Sequence, residues 1–335
     1  MSIVVSVWRS PMKLGTLKSK NLDGEFVVIS QDNTRYVKVP DIAPHFRRAI
    51  ENWSECKDKL LKVYEGLNGG AIKGLPMDEN LFHSPLPRTF QWADGSAFLH
   101  HVKLVRMSRN AEMPDSLYET PLMYQGSGDN FLGPKEPIPQ IDFAHGTDFE
   151  GEVGVITDFV PMGCTAEDAL KKILFCVIIN DVSLRGLIPE ELKAGFGFFH
   201  GKPSSSFAPF ALTLDELGEA WNQGRIERPL DVEFNGEFFG KANGSEMHFH
   251  FGQLIAHAAR TRNLMPGTII GSGTVSNDST EVGSSCLLER RMIEKINEGV
   301  FKTPFMKVGD KVKITMSNKK GENLFGTIEQ TVVQA

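Results

Sequence analysis

The chain has 335 residues, 41% of them hydrophobic and 23% charged, a globular composition that supplies one large core and a smaller one. Its formal charge of −6 excludes a basic nucleic-acid footprint and an anionic membrane surface as partners. No uncharged apolar stretch approaches the roughly 20 residues a membrane helix needs. Residues 3–8 lack the basic lead-in of a targeting segment. Cys56, Cys164, Cys176 and Cys286 form no Cys-x-x-Cys pair, so reduced thiols and a cytoplasmic setting are expected.

In chain order, strands are expected at residues 3–7 and 25–30, the second behind an Asp23-Gly24 turn. A helix follows, because Phe46, Ile50, Trp53, Leu60, Leu61 and Tyr64 recur near 3.6 spacing, with Pro44 in its first turn. The Gly-rich residues 66–74, then Pro76, Pro85 and Pro87, mark a boundary between a small domain (1–80) and a larger one (81–335). Beyond it, strands are expected at 149–156, 174–180, 268–275 and 311–316, and a hairpin turns at Asn235-Gly236. Three short helices are expected, at 165–173 behind a capping Thr165, at 189–194 and at 251–262. The fold class is mainly β (α+β), with peripheral helices and a small N-terminal α+β domain.

Glu150 and Glu152 stand two apart in an apolar strand and so share one face. Adjacent carboxylates repel and resist desolvation, which a cation between them would resolve; an edge strand with one wet face explains them equally well. Asn180 and Asp181 end the next apolar run, with Arg185 four residues on. Read alone, Asp181 is a turn cap. Lys202 lies between Gly201 and Pro203, Gly271-Ser272-Gly273-Thr274 is a small-residue strand exit, and Asp94 precedes His101 by seven. A His248-x-His250 pair admits an oxygen-using iron site, although alternate polar residues on an exposed strand are its usual cause.

Together, Asp148-Phe149-Glu150-Gly151-Glu152, Asn180-Asp181-Val182-Ser183-Leu184-Arg185, Gly201-Lys202 and Pro266-Gly267 through Ser272-Gly273-Thr274 resemble the fumarylacetoacetate hydrolase family in order and spacing. The likeness runs from about Arg88 to the C-terminus and implies a mixed β-roll/β-sandwich catalytic domain; residues 1–80 resemble the small domain of the longer hydrolases. It implies a divalent metal held by Asp94, Glu150, Glu152 and Asp181. Mg²⁺ suits an all-oxygen set, with Ca²⁺ or Mn²⁺ as alternatives. It also implies His101 as the water-activating base with Glu289 as its acidic partner, Lys202 as a catalytic cation, and Tyr124, Arg185 and Thr274 as substrate contacts. A glutamine and a tyrosine of the family pattern are replaced by Ile188 and Leu192. The implied activity is hydrolysis of a carbon–carbon bond in a 1,3-diketo acid, by a homodimer. Decarboxylation or isomerisation/tautomerisation of 2-oxo acids on the same metal site is the alternative.

Overall fold

The computed structural model describes residues 10–107 and 111–335; the strand expected at 3–7 lies outside them. The described residues form an eleven-stranded sheet and a five-stranded sheet, with two small ribbons. The large sheet runs Leu75–Pro76, Arg35–Lys38, Glu25–Ile29, Lys13–Leu17, Phe210–Thr213, Ile173–Asn180, Gly151–Thr157, Ile269–Thr274, Trp92–Gly95, Met123–Gly126. Ser206–Phe207 pairs with Ile173–Asn180 off this path. Pairing is antiparallel except between Ile269–Thr274 and Trp92–Gly95. Strands of residues 13–38 thus continue the sheet that holds residues 151–157.

The two faces of this sheet are covered differently. Along Ile173–Asn180, Phe175, Val177 and Ile179 point one way, Cys176 and Ile178 the other. The first set meets the helices Phe46–Glu51 and Trp53–Asn68, where Phe46 and Trp53 set their rings edge-on to Phe175 at 5.1 and 5.0 Å. The second set meets the five-stranded sheet of Glu237–Asn243, Pro229–Phe234, Lys311–Thr315, Ile328–Gln334 and Ile138–Gln140. The N-terminal helices therefore back the strand that delivers Asn180 and Asp181.

The hairpin at Asn235-Gly236 forms as expected, both residues having positive φ (54° and 82°), the geometry a tight right-twisted turn demands. The helix expected through residues 46–64 is two helices. Asn52 breaks it with φ −122°, its amide donating to Arg48 O, the local competition that disfavours Asn inside helices. Pro44 lies ahead of the cap, which is His45. Among the helices not expected, the two longest are Leu99–Met107 and Leu287–Glu298. They pack against each other at the site described next.

Candidate active site

Three strands and two helix starts converge on one buried group of acids. Asp94 lies opposite Gly271 in the parallel pair, and Glu152 lies opposite Thr274 across a bulge that follows Gly271. A Cβ on Gly271 would stand 2.4 Å from Asp94 Oδ1, so glycine there is required for the close approach. The bulge turns Gly273 to φ +76° and its N–H donates to Asp94 Oδ1 at 2.9 Å. The small-residue strand exit thus exists to seat Asp94. Asp181 N donates to Glu150 O at 3.0 Å, and Asn180 Oδ1 accepts from Glu150 N at 3.2 Å. The Asn180-Asp181 pair locks the backbone that carries Glu150; Asp181 is more than a turn cap.

Asp94, Glu152 and Asp181 bring carboxylate oxygens within 4.8 Å of one another, and all three residues are buried. Both Glu152 oxygens are buried with no hydrogen-bond partner. Burial, compounded by Asp94, Asp181 and Glu150, pushes the Glu152 carboxyl well up. Burial and the neighbouring Asp181 push Asp94 up to about 8. Orphaned, mutually repelling oxygens are what a bound cation resolves, so these residues fit a hard divalent metal.

Glu150 is neutralised differently. Its Oε2 meets Lys202 Nζ at 2.5 Å, and its Oε1 meets Arg185 Nη2 at 2.6 Å. Burial alone would raise this carboxyl; Lys202 and Arg185 outweigh it and hold it well down. Lys202 also meets Asp181 Oδ2 at 2.5 Å, and these two carboxylates keep the buried amine an ammonium. Ser205 Oγ donates to Asp181 Oδ1 at 2.7 Å, and the Tyr124 hydroxyl donates to Oδ2. The expected substrate residues are all here: Tyr124 on Asp181, Arg185 between Asp148 and Glu150, and Thr274 with a buried, unpartnered hydroxyl.

His101 sits on the helix Leu99–Met107. Its Nδ1 is 3.0 Å from Glu289 Oε2, and its Nε2 is 3.9 Å from Glu150 Oε1. Glu289 lies in the first turn of Leu287–Glu298, whose cap is Cys286. His248 and His250 join neither metal-capable group among the described residues; His248 Nε2 lies 2.9 Å from Tyr118 O.

Asp148 had no assigned role. Fully buried, it accepts from Leu287 N (2.7 Å) and Leu288 N (3.0 Å) and pairs with Arg185 Nε at 2.9 Å. One carboxylate thereby anchors both the helix that carries Glu289 and the guanidinium that holds Glu150. Glu191 was also missed. Its carboxylate accepts from Phe199 N, His200 N and Gly201 N at 3.0, 2.6 and 3.0 Å, fixing the approach to Lys202. Its signal was the helix start Pro189-Glu190-Glu191, too common to single out.

Residues 91–333 match the family described as Fumarylacetoacetate (FAA) hydrolase C-terminal, and residues 12–88 match Fumarylacetoacetase N-terminal domain 2. Among curated relatives, oxaloacetate tautomerase YisK of Bacillus subtilis is 23% identical over 245 residues, 72% of this chain and 71% of its own. The 2,4-didehydro-3-deoxy-L-rhamnonate hydrolase of a Sphingomonas species is 28% identical over 159 residues, 46% of this chain and 52% of its own. Among solved structures, maleylpyruvate hydrolase from a Sphingobium species superposes with a TM-score of 0.65 at 16% identity, covering 97% of this chain and 100% of that one.

Proposed function

This chain belongs to the fumarylacetoacetate hydrolase family, and on that premise we propose that it hydrolyses a carbon–carbon bond in a small 1,3-diketo acid of the fumarylacetoacetate or acylpyruvate kind. The observation that carries this reading is the His101–Glu289 pair at 3.0 Å, with Nε2 turned toward the carboxylates. Asp94, Glu150, Glu152 and Asp181 would hold the divalent cation, Mg²⁺ first and Ca²⁺ or Mn²⁺ as alternatives; bound there, it supplies Lewis-acid polarisation of the substrate's oxygens.

The protein's own groups then divide the work. Glu289 accepts a hydrogen bond from the Nδ1–H of His101, which keeps that proton on the ring and leaves the Nε2 lone pair free to take a proton from water. The hydroxide attacks one carbonyl, and the adjacent carbon–carbon bond breaks toward an enolate. The Lys202 ammonium stands where that charge develops, and the His101 imidazolium returns its proton to the leaving carbon. Arg185 and Asp148 hold Glu150 and the Glu289 helix in register. Tyr124 and the free Thr274 hydroxyl offer hydrogen bonds to substrate. A cytoplasmic homodimer is the setting this reading carries, and sedimentation tests the second half of it.

A second reading, tautomerisation or decarboxylation of a 2-oxo acid on the same metal site, is favoured by the name of the Bacillus relative. Product analysis on Mg²⁺-loaded protein separates the two. Two acid products from an acylpyruvate, lost in His101→Ala, support hydrolysis. Carbon dioxide release, or keto–enol exchange of oxaloacetate without cleavage, supports the second.

A further inference from the structure

A second cluster of different chemistry stands beside the all-oxygen group. His101, Glu150 and Cys286 each offer one ligand atom, and these atoms lie within 4.8 Å of one another. We propose that the three form a site for a thiophilic dication of the Zn²⁺ class beside the Asp94–Glu152–Asp181 group, with Glu150 as the carboxylate the two sites share, and that filling it switches the enzyme off.

The frame around these residues is rigid. Glu150 and Cys286 face each other across an isolated antiparallel bridge, and Gly151 N donates to Ser285 O at 2.8 Å beside it. His101 comes from the helix packed against the one Cys286 caps. Its Nε2 is 3.9 Å from Glu150 Oε1. Two ligands on tetrahedral zinc stand roughly 3.4 Å apart, so a shift of about half an ångström closes the pair around an ion.

The surroundings suit such an ion. The Nδ1 hydrogen bond to Glu289 is the carboxylate partner that metal-bound imidazoles have, and it leaves Nε2 as the ligating atom. The Cys286 sulfur caps a twelve-residue helix and accepts from Glu289 N at 3.4 Å, an end that offsets part of the burial pushing the free thiol up. Glu150 Oε1 already accepts from Arg185 Nη2, but a carboxylate oxygen has a second lone pair. One nitrogen, one oxygen and one sulfur with a fourth position open make a zinc-type donor set, whereas oxygens alone favour Mg²⁺. On binding, the Cys286 S–H bond breaks and its proton leaves to solvent as the metal–sulfur bond forms; no electron is transferred. The ion also takes the Nε2 lone pair of His101. Inhibition therefore rests on the hydrolase reading, but ion binding does not.

The test titrates Mg²⁺-saturated protein with Co²⁺ and with Zn²⁺. The expected result is one additional ion per chain, a thiolate-to-cobalt charge-transfer band, and loss of turnover that a chelator reverses. Cys286→Ser keeps a capping oxygen; the band disappears and inhibition by Zn²⁺, measured against the variant's own turnover, weakens more than about 100-fold, beyond the loss of an outer partner. Glu289→Gln weakens ion binding about 10–100-fold. His101→Gln weakens cobalt binding as well, and supplies the answer if the serine variant fails to fold. A cobalt spectrum without the sulfur band, or unchanged Zn²⁺ inhibition in Cys286→Ser, overturns the proposal. A sulfur band with full turnover upholds the site and instead overturns His101 as the base.

Discussion

Asp94 and Glu152 are carried by strands that neighbours pin on both sides, and Asp181 by the end of a third. His101, Cys286 and Glu289 ride on two helices packed against each other at the mouth of the same site. The floor is rigid and electrostatically unfinished: both Glu152 oxygens are buried without a partner. The rim is finished, since His101 and Glu289 satisfy each other at 3.0 Å. Sheets can impose repulsion on side chains because main-chain bonding on both edges fixes their positions. A helix end offers fewer constraints, so its polar groups must settle one another. Binding and proton transfer are thereby assigned to different kinds of scaffold.

Variants can break or sharpen this division. The largest effect is expected for His101→Ala, which lowers kcat by about 10²–10⁴ while leaving Mg²⁺-induced stabilisation in place. If thermal shift with Mg²⁺ vanishes too, floor and rim are one unit. Asp148→Ala removes the carboxylate that ties the Glu289 helix to Arg185 and leaves that guanidinium partly unpaired. About 3–5 kcal/mol of stability should go in a denaturant titration, the usual result of breaking a buried pair.

Glu152→Gln replaces a buried, partnerless carboxyl, held protonated in the metal-free chain at a cost in stability, with a neutral isostere. Metal-free protein should gain about 1–3 kcal/mol. The stabilisation that Mg²⁺ gives the wild type, about 2.7 kcal/mol at 100 times Kd, should disappear from the same melts. A loss of stability without metal would show that Glu152 has a partner after all. The gentlest test is a slope. Asp94 is pushed up to about 8 from the ordinary 3.8, so the folded chain keeps a proton the unfolded chain has released. The Asp94 contribution to metal-free stability, read as wild type against Asp94→Asn, should be full below about pH 4 and fall as pH rises toward 8, while the gain from Mg²⁺ grows over that window. A flat profile would mean that Asp94 is ionised throughout.

The floor was legible in the sequence far more than the rim. Strand periodicity puts Glu150 and Glu152 on one face, whereas Asp181, read alone a turn cap, and Asp94 entered the set only through the family resemblance. The structure adds that Glu152 belongs to the all-oxygen group and Glu150 to the cations Lys202 and Arg185, a distinction pleat geometry alone cannot make. The rim was hidden for local reasons. Cys286 is not among the usual N-caps, so the start of Leu287–Glu298 carried no signal. Its left-handed end at Gly299 (φ 79°) was the readable clue. The helix Leu99–Met107 has nine residues, too short a stretch for its apolar positions to separate helical from strand periodicity. Asp148 escaped because its partners come from residues 185, 287 and 288, which only the fold brings together.

The Glu191 carboxylate, which gathers the amides of residues 199–201, has a consequence for how this scaffold can diversify. The chain between it and those amides holds Gly195 and Gly197, both with positive φ and open space around them, and a fully exposed Phe196. Because the two ends of this segment are tied to each other, changes at its exposed residues 195–197 are absorbed within it. Segments of this build are natural splice points. New side chains can be grafted at 195–197, whereas Phe198 sets its ring edge-on to Tyr124 at 5.3 Å and so ties the last position of the segment to the charged centre.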